Sequence, residues 1–154
     1  MDKIALFPGS FDPITKGHTD IIKKGLGVFD KVIVAIGVNA QKKTMFSLEQ
    51  RTAWIQAMFK DEPRIEVKSY EGLTIEFCRQ VNAGFILRGL RSCKDFEYER
   101  DIACANKDLV PGIETVFLLS DPAFGHISST IVRDVIVNKG DYSKFVPEGL
   151  NFGN

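Results

Sequence analysis

Apolar residues along this chain fall into two alternating patterns: short unbroken runs, and longer stretches with apolar positions three and four apart. Short runs bounded by turn residues suit strands buried on both faces, and the spaced stretches suit helices with one buried side. The first run, Lys3 to Phe7, predicts a buried strand that Pro8 and Gly9 end, because proline donates no ladder hydrogen bond. Beyond the bend at Asp12-Pro13, residues Ile21, Ile22, Leu26 and Phe29 predict a helix that opens at Thr15-Lys16-Gly17-His18. Lys31 to Gly37 predicts a second buried strand, and Val38 to Phe46 a loop holding Asn39, Lys42 and Lys43. Ser47 with Gln50 three residues on makes a capping box, and Leu48, Ile55 and Phe59 mark the buried face of the helix that follows.

Past Pro63, the segment Arg64 to Ser69 alternates as a strand, and Gly72 leads into a helix with Ile75, Cys78 and Val81 on one face. Gly84 to Leu87 predicts a short strand ending in Arg88-Gly89-Leu90-Arg91. A long helix is expected from about Lys94 to Leu109, with Tyr98, Ile102, Ala105 and Leu109 on its apolar face, until Pro111-Gly112 breaks it. Thr115 to Leu119 is the last strand. After the loop Ser120 to Gly125, Ser128 or Ser129 caps a helix carrying Ile131, Val132, Val135 and Ile136. The tail from about residue 140 holds Pro147 and several glycines and predicts one helical turn at most. No repeat or linker interrupts this order, so residues 1–154 are expected to form one domain with that short tail. Five strands alternating with helices predict an α/β fold, a doubly wound five-stranded parallel sheet with helices on both faces.

Composition narrows the partners. Lys plus Arg and Asp plus Glu are both 20, so no global basic field exists for wrapping nucleic acid, and any polyanion site must be a local cluster. No apolar run approaches the ~20 residues of a membrane span, and the N-terminus lacks the layout of a signal peptide. Cys78, Cys93 and Cys104 match no disulfide framework or zinc spacing, which predicts reduced thiols in a cytoplasmic protein.

In an open parallel sheet, ligands bind beyond the carboxyl ends of the strands, and the candidate residues cluster in that position. Ser10 and His18 follow the first strand, Lys42 the second, Arg88 and Arg91 the fourth, and Ile127-Ser128-Ser129-Thr130 the fifth. Strand, glycine-containing turn and helix amino terminus make an anion site, since backbone N–H groups and the helix dipole both favour negative charge. A Walker loop is excluded because the chain has no Gly-Lys pair, and Gly9 and Gly17 do not supply the three-glycine dinucleotide fingerprint. A lone histidine at a helix start is commonly a cap, a pair of lysines in a loop is commonly solvated, and Glu99 alone reads as a solvent-face ion pair. Arg88 stands out, because a cation beside an apolar strand is costly unless paired or facing a cleft, and arginine grips phosphate bidentately. The set contains hydroxyls, cations and a histidine but no nucleophile with an attached base. That favours electrostatic stabilisation of direct phosphoryl-group transfer over covalent catalysis. No carboxylate cluster suggests a protein-built metal site.

Thr15-Lys16-Gly17-His18 together with Ile127-Ser128-Ser129-Thr130-Ile131-Val132-Arg133 resembles the paired signature of the T/HxGH nucleotidyltransferases, whose fold is Rossmann-like. Pro8 to Pro13, Arg88-Gly89-Leu90-Arg91 and Asp95-Phe96-Glu97-Tyr98-Glu99 narrow the resemblance to the bacterial phosphopantetheine adenylyltransferases, over nearly the whole chain. The resemblance implies reversible adenylyl transfer from ATP to 4'-phosphopantetheine in coenzyme A synthesis, with Mg²⁺ brought by the nucleotide. By it, Ser10 and Lys42 contact the attacking phosphate, Arg88 helps hold that substrate, and Thr74 meets the pantetheine arm. His18 donates to the α-phosphate, with Lys42, Arg91 and Ser10 completing the catalytic set. The ATP site would comprise Ser10, Phe11, His18, Gly89, Leu90, Arg91, Glu99 and the run Phe124, Gly125, His126, Ile127, Ser128, Ser129 and Thr130. A homohexamer inhibited by coenzyme A is also implied.

Three features depart from the family pattern. Ser10 replaces the usual threonine and keeps its hydroxyl, His126 stands where an aromatic residue is common, and the tail is short. Two rivals share part of the evidence. A nicotinate-mononucleotide or glycerol-phosphate nucleotidyltransferase would give Thr74 no role, and a non-catalytic sensor would bind nucleotide without releasing pyrophosphate.

Overall fold

A computed structural model describes residues 1–152. Five strands, β1 (Ile4–Gly9), β2 (Lys31–Gly37), β3 (Ile65–Tyr70), β4 (Phe85–Leu90) and β5 (Glu114–Leu119), form one parallel sheet in the order β3-β2-β1-β4-β5. Helices α1 (Lys16–Gly25), α2 (Leu48–Met58), α3 (Thr74–Gln80), α4 (Cys93–Leu109) and α5 (Ser129–Val137) connect or follow them. The odd-numbered positions of β1 (Ala5 and Phe7), with Val32, Val34, Ile36 and Leu87, meet Ile21, Ile22 and Ile55 from α1 and α2. The alternate positions Leu6, Ile33, Ala35 and Ile86 meet Ile75 and Cys78 of α3. Strands buried on both faces account for the unbroken Val/Ile runs, and each fully buried aliphatic side chain stabilises the fold by about 1.5–3 kcal/mol.

The chain runs outward through β1, β2 and β3, then returns to place β4 on the other side of β1. β1 and β4 pair only through Ala5 with Phe85 and Leu6 with Ile86, so the two strands part beyond Leu6. This split at the strand carboxyl ends is where the sheet reverses direction, the place such folds bind ligands.

Two strand ends and two helix faces differ from expectation, each for a local reason. β1 runs on through Pro8 and Gly9, in register with Ala35 and Ile36 of β2. The Pro8 carbonyl accepts from Arg88 on the β4 side. The N–H that proline lacks would point the same way, into the split, so the β2 ladder loses nothing. β4 likewise extends past Leu87 through Arg88-Gly89-Leu90, pairing with Phe117, Leu118 and Leu119. The expected apolar face of α4 is not a core face: Tyr98, Ile102 and Leu109 are exposed, and the buried residue is Glu99. On α5, Val132 is buried while Ile131 is exposed.

The Ser47–Gln50 capping box opens α2 as expected. The tail makes one 3-10 turn, Tyr142–Lys144, and returns Phe152 onto Phe46 and Trp54. Among the described residues no helix is long and apolar enough to cross a membrane.

Candidate active site

Two cavities of about 570 and 600 Å³ meet over the split between β1 and β4. Ser10, Lys42, Arg88, Tyr98 and Glu99 line both. The first continues past Thr74, Tyr70 and Asn106 toward α3 and α4. The second continues past His18, Arg91 and the start of α5, with Ile127, Ser128, Ser129, Thr130 and Arg133 in its wall.

His18 owes its place to the helix start. Thr15 is the N-cap of α1, its hydroxyl accepts from His18 N, and the His18 ring Nδ1 accepts from Thr15 N–H at 3.0 Å. Histidine thus fills the capping-box position usually held by Glu or Gln. With Nδ1 committed as an acceptor, the neutral ring carries its proton on Nε2. Burial, then the guanidinium groups of Arg88 and Arg91, pull the ring's pKa down to about 4. At neutral pH His18 is therefore a neutral Nε2–H donor. The cap reading holds, and the cap leaves the Nε2–H on the other side of the ring.

Gly89 lets α1 come this close to β4. A Cβ on Gly89 would stand 2.7 Å from Ile21 Cγ1, so any side chain would push the helix, and His18 with it, away from the arginines.

Arg88 points to the opposite face. Its Nε and Nη2 grip the Glu99 carboxylate at 2.9 and 2.7 Å, and Nη1 donates to the Pro8 carbonyl at 2.8 Å. Glu99 is therefore not the solvent-face pair its mid-helix position suggested; it is buried and sets Arg88 in the shared wall. Arg91 is more exposed, with Nε on Asp95 at 3.2 Å and Nη1 on the Ile127 carbonyl at 3.2 Å. Lys42 Nζ donates to Ser10 Oγ at 3.3 Å, and among the described residues no carboxylate pairs with it. That leaves its charge available to an anion at the join of the cavities.

The hydroxyls at α5 already have local partners. Ser128 Oγ accepts from Ile131 N as the cap, Ser129 Oγ donates to the Pro13 carbonyl, and Thr130 Oγ1 accepts from Arg133. The backbone N–H groups of the first turn are what this helix start offers an anion. Phe11 lines the second cavity with its ring edge-on to His18, and Thr74 Oγ1 lies 2.7 Å from the Tyr70 hydroxyl in the first. Leu90, Phe124, Gly125 and His126 lie outside both cavity linings, and the His126 ring packs beside Phe145.

Four residues of this region carried no sequence signal as site residues. Tyr70 and Asn106 line the first cavity. Asp12 and Arg51 are buried and line neither cavity. No group of three His, Cys, Asp or Glu side chains among the described residues could hold a metal. The carboxylates nearest the site, Asp95 and Glu99, are engaged by Arg91 and Arg88. This donor set fits a hard cation that arrives on phosphate oxygens rather than one caged by protein.

Comparison with known proteins identifies the family. The profile of the cytidylyltransferase-like family matches residues 6–135. The phosphopantetheine adenylyltransferase of Flavobacterium psychrophilum is 59% identical over 146 residues, covering 95% of this chain and 96% of that one. That of Caldanaerobacter subterraneus subsp. tengcongensis is 44% identical over 146 residues, covering 95% and 91%. Among solved structures, a bifunctional NMN adenylyltransferase/ADP ribose pyrophosphatase from Francisella tularensis, complexed with AMP and a manganese ion, superposes with a TM-score of 0.71. It is 18% identical and covers 95% of this chain and 44% of that one, a likeness of fold.

Proposed function

The chain belongs to the phosphopantetheine adenylyltransferases, within the cytidylyltransferase-like family, and on that premise we propose how its site moves an adenylyl group. The reaction is transfer of the adenylyl group of ATP to 4'-phosphopantetheine, giving dephospho-coenzyme A and pyrophosphate, a step of coenzyme A synthesis. The observation that carries the assignment of roles is the shared wall: two cavities of similar size joined at Ser10, Lys42 and Arg88. A bisubstrate transfer needs that shape, with one ligand on each side and the reacting phosphates at the join.

The acceptor lies in the first cavity, its arm along Thr74 and Tyr70 and its phosphate against Ser10 Oγ, Lys42 Nζ and the Arg88 edge. ATP lies in the second, its phosphates toward Arg91 and the α5 amino terminus, with the Phe124 to Thr130 segment beside the nucleotide. An acceptor phosphate oxygen attacks the α-phosphorus in line, the bond to the β-phosphate oxygen breaks, and pyrophosphate leaves toward α5. His18 Nε2–H donates to an α-phosphate oxygen as charge builds there. A donor that is already desolvated and fixed by a capping box reorganises little as the reaction proceeds. Mg²⁺ arriving with the nucleotide would supply neutralising charge to the leaving group, and among the described residues no carboxylate cluster would hold it.

We further place the protein in the cytoplasm as a homohexamer, with coenzyme A as a feedback inhibitor able to span both cavities. The exposed apolar side chains Tyr98, Ile102, Leu109 and Leu73 suit subunit contacts.

The test is pyrophosphate release from ATP and Mg²⁺ with 4'-phosphopantetheine, run beside nicotinate mononucleotide with ATP and glycerol 3-phosphate with CTP. Release with 4'-phosphopantetheine alone, with dephospho-coenzyme A formed, is the expected result. Release only with another acceptor, or nucleotide binding with no release at all, overturns it.

A further inference from the structure

Arg51 is nearly fully buried, yet among the described residues no carboxylate pairs with it. Its partners are three backbone carbonyls: Nη1 donates to Ser10 O at 2.7 Å, and Nε to Phe46 O at 3.2 Å and Ser47 O at 3.3 Å. A buried guanidinium without a counter-charge is costly, and an apolar residue could fill the same space. What the guanidinium does that an apolar residue could not is hold two separate stretches of chain at a fixed distance. One is the Ser10 turn after β1; the other is the carboxyl end of the loop that carries Lys42.

Both stretches need holding. Phe11, next to Ser10, has φ of 48°, the left-handed region that a bulky residue avoids unless its surroundings impose it. The loop from Val38 to Phe46 has few anchors of its own. It turns on Asn39, whose carbonyl accepts from Lys42 N and whose side chain accepts from Gln41 N. Its far end is fixed by the buried Asp12 carboxylate, which accepts from Met45 N at 2.9 Å and Phe46 N at 3.0 Å. Arg51 closes the remaining side, from Phe46 back to Ser10.

The geometry points to Arg51 as a positioning residue for the acceptor half of the site, setting the separation of Ser10 Oγ and Lys42 Nζ that grips the attacking phosphate. This rests on the acceptor assignment proposed above. Arg51 donates to no residue of the α5 start or the His18 cap, and the loop end it fastens at Phe46 carries Lys42, so its loss falls mainly on the acceptor side. A residue of purely structural importance would not make that distinction.

Arg51→Lys and Arg51→Gln are compared with wild type by steady-state kinetics and by amide hydrogen exchange. In Arg51→Gln the Michaelis constant for 4'-phosphopantetheine rises about tenfold or more, while that for ATP stays within about twofold. Amides of residues 38–46 exchange about tenfold faster, with β1 and α1 unchanged. Arg51→Lys, which keeps the charge but cannot span all three carbonyls, falls between the two. Equal rises in both Michaelis constants, or a lower melting temperature with neither constant changed, overturn the proposal, as does failure of both variants to fold. If wild type does not use 4'-phosphopantetheine, the reaction assignment fails instead. The exchange result then decides alone, and unchanged protection of residues 38–46 overturns the role of Arg51.

Discussion

Replacing His18 by alanine removes two interactions at once, and the structure separates their sizes. The ring's Nδ1 accepts from Thr15 N–H, half of the capping box, and its loss leaves the α1 start one partner short. Losses of this kind cost about 1 kcal/mol, or roughly a 3 °C fall in melting temperature for a chain of this length. The other face of the ring, Nε2–H, is the proposed donor to the α-phosphate, and losing one such donor costs about 10²–10³ in turnover. Thr15→Val serves as the control. It removes the hydroxyl that accepts from His18 N, at a similar cost of about 1 kcal/mol, and leaves the imidazole in place. The two variants are expected to melt at similar temperatures, below wild type. Pyrophosphate release falls about 10²–10³-fold in His18→Ala and less than about tenfold in Thr15→Val. If both variants lose turnover equally, His18 acts through the helix start and is not a donor. If His18→Ala keeps near-wild-type turnover, the donor role is wrong outright.

Lys42→Ala should raise the Michaelis constant for 4'-phosphopantetheine as well as slow transfer, because Lys42 Nζ sits with Ser10 Oγ at the join of the cavities; a change in ATP affinity alone would contradict this. By NMR, the His18 ring should titrate near about 4 with its neutral proton on Nε2, and an ordinary value near ~6.5 would contradict the buried, cation-flanked site. Since the folded value lies below the unfolded one, the unfolded chain takes up that proton first as pH falls. The stability His18 contributes is whole above about pH 6.5 and is lost progressively toward about pH 4. Cys78 is buried in the α3 face, its pKa pushed up to about 12 by desolvation, whereas Cys93 and Cys104 are exposed. A thiol reagent should therefore label two groups in the native protein and the third only after unfolding, and three fast-reacting thiols would contradict the packing.

The centre of the sheet was legible because β1 and β2 are buried on both faces. The run Lys31 to Gly37 is short and β-branched, which suits a buried strand better than a helix, and the observed β2 has those bounds. Ser47 and Gln50 were legible because a cap is local chemistry. Positions whose environment comes from distant chain were not. Nothing near Pro8 indicates that its missing N–H falls into the split between β1 and β4. Periodicity in α4 marks Tyr98, Ile102 and Leu109 as one apolar face, but it cannot tell a core face from a surface face, and these residues are exposed. Glu99 reads as a solvent-face ion pair and is instead buried against Arg88 of β4, and Arg51 carries no signal that it reaches back to the Ser10 carbonyl. The convergence of Ser10, His18, Lys42, Arg88 and Arg91 could be foreseen because a parallel sheet collects whatever follows its strands. How those groups are held could not.

We propose direct displacement at the α-phosphorus, with both substrates held across one shared wall and no adenylyl-enzyme between them. The most direct test is to run the reaction with ATP made chiral at the α-phosphorus by sulfur substitution and to determine the configuration of the dephospho-coenzyme A analogue formed. Inversion is the result expected of a single in-line attack, and retention would mean two displacements through a covalent intermediate.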